Sequence, residues 1–126
     1  MADQFVLQGG YTSTPLGQPT SFAQMVETQI DESATLGAKH VDEVTLTVDT
    51  PVVVPFGGVI NANVIILKAV GGKVRARLTS ADGVAQSAPF DTYFILMSES
   101  VPVTALDLTR VAGVETTVRV FLGELA

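Results

Sequence analysis

Val59–Thr79 reads VINANVIILKAVGGKVRARLT, and its alternation decides the fold class. Odd positions from Ile65 to Ala69 and even positions from Val74 to Leu78 are apolar, which is the period-two signature of strands with one buried face. Gly71-Gly72 lies between the two runs. Because glycine takes positive φ without strain, the pair predicts a two-residue hairpin. In that register Val70 faces Lys73, Ala69 faces Val74, Leu67 faces Ala76 and Ile65 faces Leu78, giving one wholly apolar face. The opposite face then holds Lys68, Lys73, Arg75 and Arg77, with Lys68 directly across from Arg75. A like-charge pair of this kind calls for an acidic neighbour, either a carboxylate on an adjacent strand or one on another subunit.

The same period continues on both sides. Val44, Leu46 and Val48 alternate with Thr45, Thr47 and Asp49, predicting a half-buried strand over Val41–Asp49. Val52–Val54 sits between Pro51 and Pro55, which confines it to a sheet edge or a switch between sheets. Asp82-Gly83 marks a turn. Asp91–Ser98 (DTYFILMS) is apolar on both faces, so it is predicted to be central in its sheet or covered on both sides. Val103–Arg110 and Val114–Leu122 are predicted to form a last hairpin through the loop Val111-Ala112-Gly113. Gly113 would be left-handed, pairing Leu108 with Thr116, Leu106 with Val118 and Thr104 with Val120.

Toward the amino terminus the signal weakens. Gly9–Thr20 (GGYTSTPLGQPT) is rich in Gly, Pro, Ser and Thr and reads as an extended arm or as a loop on its own domain. Ser21–Ile30 fits a strand better than a helix, and Asp31–His40 is a polar stretch with a possible short helix ended by Gly37. The whole describes an all-β protein. It is an antiparallel β-sandwich or jelly-roll-like single domain of 21–126, with an N-terminal strand and extended arm over 1–20.

Length and composition agree with one domain. The 126 residues are 47% hydrophobic and only 16% charged, below the usual quarter, so part of the surface is expected to be buried against partners. A net charge of −6 argues against general affinity for nucleic acid or anionic membranes. No cysteine is present, which excludes disulfides and thiolate chemistry. The amino terminus lacks the pattern of a secretory signal, so the protein is expected to be made in the cytoplasm and kept soluble in the cell.

No catalytic constellation emerges. His40 is the one histidine, and no serine or threonine stands in a nucleophile elbow. Asp31-Glu32 and Asp42-Glu43 lack the alternating ligand loop of a calcium site, and the phosphate-loop, dinucleotide and zinc-protease motifs are all missing. The expectation is therefore no catalytic, cofactor-binding or metal-binding residue, no cofactor and no enzymatic activity. The residues expected at an interface are Lys68, Lys73, Arg75 and Arg77 of the basic stripe and Tyr11, Pro15 and Pro19 of the arm.

The carboxy-terminal half resembles small virion structural proteins of tailed bacteriophages. The features are the SADG turn (Ser80–Gly83) after a basic strand, the segment PVTALDLTRVAGVET and the VFLGE ending at Glu124. The resemblance implies a β-sandwich subunit of the virion that decorates or cements the capsid by bridging neighbouring subunits. Its partners would be the major capsid protein or other virion proteins, in a homo-oligomer, with neither nucleic acid nor membrane. A tail, head-fibre or baseplate subunit is the alternative of the same class. A carbohydrate- or ligand-binding β module is a further one, weakened by the absence of Trp, with Tyr11 and Tyr93 the only tyrosines.

Overall fold

A computed structural model describes residues 3–9 and 30–126. Among them nine strands run in chain order: β1 (Asp3–Gly9), β2 (Ile30–Leu46), β3 (Val52–Val53), β4 (Val64–Val70), β5 (Val74–Ser80), β6 (Ala85–Phe90), β7 (Tyr93–Met97), β8 (Val103–Arg110) and β9 (Thr116–Leu125). They form two antiparallel sheets, β1-β2-β9-β4-β7 and β3-β8-β5-β6, stacked around one core as a β-sandwich. The all-β expectation holds. Gly10–Gln29, and with it Tyr11, Pro15, Pro19 and most of the ambiguous segment 21–30, lies outside the described residues.

The core is what the alternation demanded. Ile65, Leu67 and Ala69 of β4 and Val118, Val120 and Leu122 of β9 point inward from the first sheet. They meet Val74, Ala76 and Leu78 of β5 and Leu106 and Leu108 of β8 from the second. Leu46, Ile65, Leu67, Val74, Ala76, Leu108, Val118 and Leu122 retain no solvent exposure. At roughly 1.5–3 kcal/mol for each such side chain, this burial is the main favourable term in folding.

The pairing differs from expectation in both hairpins. β4 pairs with β9 and β7, while β5 pairs with β8 and β6. Gly71-Gly72 is thus a corner that carries the chain from one sheet to the other. Ala69 and Val74 face each other across the core, not side by side. The 111–115 loop is a second such corner between β8 and β9, although Gly113 does take the left-handed φ of 78°. The two corners pack against each other. A Cβ on Gly71 (φ 114°) would stand 2.7 Å from the Glu115 carbonyl oxygen, and one on Gly72 would stand 2.7 Å from Val114 Cγ1. Two bare glycines permit that approach.

Three smaller expectations resolve as follows. β3 lies at the edge of its sheet, as its flanking prolines require. Asp82-Gly83 turns β5 into β6 in a true hairpin. Asp31–His40 is strand, not helix, because β2 runs unbroken from Ile30 to Leu46 and finds partners on both sides.

Gly37 sits where the register of β2 shifts, between Leu36 and Ala38. A bulge at this point adds a residue and reverses the face of everything before it. Leu36 therefore leaves the inner face shared by Ala38, Val44 and Leu46. It joins Phe5 and Val64 in a second apolar cluster on the outside of the first sheet, with Leu7, Ile66, Phe121 and Leu125 packed around it. The β1–β2 ribbon folds over that outer face, and the rings of Phe5 and Phe121 stack at 5.5 Å.

Candidate interaction surface

The pairing registers lay out the outer face of the first sheet in cross-strand rows. One runs Val41–Phe121–Ile66–Ile95 across β2, β9, β4 and β7. Every member is apolar. Val41 is 68% exposed and Ile95 50%, while Phe121 and Ile66 are half-buried under the β1–β2 ribbon. The row above it is Lys39–Gly123–Val64–Met97, and the row below is Glu43–Arg119–Lys68–Tyr93. Glu43 pairs with Arg119 at 3.5 Å, and the Lys68 ammonium lies 5.6 Å from the centre of the Tyr93 ring. An apolar band bordered by partnered charges results, which is the composition of a protein-contact patch with a polar rim.

β7 differs from its sequence expectation. It is an edge strand, not a central one, and Tyr93, Ile95 and Met97 are exposed. Phe94 and Leu96, on its inner side, are only partly covered by the core. They help to line a cleft of about 290 Å³ that opens between the sheets beside β6, with Leu78 and Val103 on its wall. A run apolar on both faces signalled two covered sides; here those sides remain open in the isolated chain.

The second sheet presents a different outer face. Its rows are Val53–Asp107–Arg77–Ser87 and Thr109–Arg75–Pro89, in which polar and charged groups alternate with the apolar Val53, 75% exposed, and Pro89. Arg77 stands across from Asp107, so an acidic residue does lie on an adjacent strand.

The basic stripe is accordingly divided. Lys68 belongs to the first sheet, Lys73 follows the Gly71-Gly72 corner, and Arg75 and Arg77 project from the second sheet. The predicted contact of Lys68 with Arg75 does not exist, since their strands are in different sheets. Lys68 faces Arg119 instead, and Glu43 on the far side of Arg119 offsets the repulsion. Among the described residues Lys73, Arg75 and Arg77 make no ion pair. Lys73 and Arg75 border a second, shallower cleft of about 190 Å³ with Arg110, whose guanidinium is bound at 2.9 Å by Asp49.

The titratable groups do not converge. Asp42 and Glu43 are successive residues of one strand and so face opposite sides; Glu43 turns outward to Arg119. His40 and Asp42 share the inner face of β2, with Nε2 3.7 Å from Asp42 Oδ2. That nitrogen is enclosed and has no hydrogen-bond partner among the described residues, while the ring packs on Gly57, where a Cβ would stand 2.5 Å from Nδ1. Among the described residues no group of three or more His, Asp or Glu side chains could hold a metal ion. No helix among them is long and apolar enough to cross a membrane.

No protein-family model, curated protein or solved structure matches the chain. The geometry of the sandwich therefore carries the functional reading.

Proposed function

We propose that the protein is a non-enzymatic structural subunit that works by presenting the outer face of its first sheet to other proteins. The row Val41–Phe121–Ile66–Ile95 carries this reading. It is a continuous apolar band four strands wide, and its two ends, Val41 and Ile95, are left in water.

The setting we propose is a phage virion, with the protein decorating the capsid and bridging neighbouring subunits. The resemblance of the carboxy-terminal half supports it. Bridging needs a stiff body and a contact face but no reactive group, and a sandwich with two interlocked corners provides stiffness. Purified protein mixed with undecorated phage heads is expected to bind them and to raise their thermal stability. Heads that neither bind it nor gain stability would remove the capsid setting, whereas binding to purified tails in their place would move the protein to the tail.

A further inference from the structure

Among the described residues no strand pairs with the outer edge of β7, and hydrogen-bond parity shows what that edge can accept. The Ala69 N–H donates to the Thr92 carbonyl at 3.0 Å, and the Ser98 N–H donates to the Asn63 carbonyl at 2.8 Å. Bonded pairs alternate in an antiparallel ladder, and the β4–β7 register is continuous from Val64↔Met97 to Lys68↔Tyr93. The backbones of Phe94 and Leu96 therefore bond to β4. Those of Tyr93, Ile95 and Met97 point away from it, into the open edge.

We infer that β7 pairs with β7 of a second copy, antiparallel and about a two-fold axis through Ile95. Among two-fold registers this one alone pairs all three outward residues of the strand with one another. Ile95 exchanges both backbone bonds with Ile95 of the second copy, Tyr93 does so with Met97, and Met97 with Tyr93, so each outward N–H and C=O between Tyr93 and Met97 finds a partner. A two-fold contact requires this self-matching. The side chains agree with it. The outer row becomes Val41–Phe121–Ile66–Ile95 followed by its mirror from the second copy, and Phe94 meets Leu96 of the second copy over the mouth of the 290 Å³ cleft.

The other edges are protected in the ways that discourage such pairing. β3 has two residues between Pro51 and Pro55, β6 contains Pro89, and β1 carries the exposed Asp3 and Gln4. β7 has neither charge nor proline. Asp91 and Glu99 lie just beyond its ends, and the register sets each near the other's counterpart, which limits the ladder to Tyr93–Met97 and predicts tighter association at higher salt.

This inference specifies the homo-oligomer of the reading above and can fail separately from it. Its test uses the full chain, which has no native thiol. In Ile95→Cys the two thiols meet on the axis at a spacing a disulfide can span. Mild oxidation is expected to give a covalent dimer in more than half of the protein, whereas Gln86→Cys, at an exposed position of β6, is expected to form no covalent dimer. Ile95→Pro removes an N–H that β4 does not use, so the β circular dichroism is expected to persist while the mass measured by light scattering falls from dimer to monomer. A wild-type monomer at about 100 μM, or equal cross-linking of both cysteine variants, overturns the pairing. Head binding retained by monomeric Ile95→Pro would leave the contact face intact as a separate function.

Discussion

Gly71 is the residue on which the sandwich turns. Its φ of 114° lies where only glycine is comfortable, and a Cβ there would press on the Glu115 carbonyl at 2.7 Å. Gly71→Ala is expected to cost about 2–3 kcal/mol, read as a lower denaturant midpoint, while Gly83→Ala, with φ 85° but open space around it, bears the backbone strain alone and loses less. Asp49 makes a different contribution. Its carboxylate accepts the Gly113 N–H at 3.0 Å and the Arg110 Nε–H at 2.9 Å. The Gly113 bond is the main cause that holds its pKa below the ordinary carboxylate value; desolvation opposes the shift, and Arg110 adds to it. A depressed pKa gives stability that is complete above the unfolded-state value and disappears as pH falls through the folded one. Urea midpoints of wild type are therefore expected to drop more steeply below about pH 4 than those of Asp49→Asn, and parallel acid limbs would show that the Asp49 contacts add nothing.

Leu36 shows how a single inserted residue moves an element. The Gly37 bulge swings the first half of β2 so that Leu36, 2% exposed, seals the Phe5–Val64 cluster. A Cβ on Gly123 would already touch its Cδ2 at 3.1 Å. Leu36→Ala is expected to destabilise by about 2–4 kcal/mol and to speed amide exchange in β1 while β5 and β8 stay protected. Uniform loss of protection would mean that the ribbon is not a separable unit. The bulge is not legible in the sequence, since DESATLGAKH carries no clean alternation on either side of Gly37. Inward faces are legible, because Ile65, Leu67 and Ala69, then Val74, Ala76 and Leu78, are apolar at period two. Partners are not. A hairpin within one sheet and a corner between two sheets bury the same residues against each other, so alternation and a glycine turn fit both. Length and charge do not separate them either, and the pairing of β4 with β9 joins segments some fifty residues apart. For β7 the apolar character of both faces was visible, but only the strand order reveals that it is an edge strand among the described residues.

Taken as a whole, the protein has one mixed polar face, around Arg75, Arg77 and Asp107, and one apolar face, around Val41 and Ile95. The basic stripe that stands out in the linear sequence is divided between them, so charge alone does not single out the face proposed for contact. The asymmetry makes the two faces separable by mutation at exposed positions that the core does not need. Binding of Val41→Glu and of Arg75→Glu/Arg77→Glu to undecorated phage heads, each first checked for native circular dichroism, sets one face against the other. Val41→Glu is expected to weaken binding tenfold or more, about 1.4 kcal/mol, and the double arginine variant to stay within about twofold of wild type. Full binding by Val41→Glu together with loss in the arginine variant would place the contact on the second sheet and contradict the reading offered for the first.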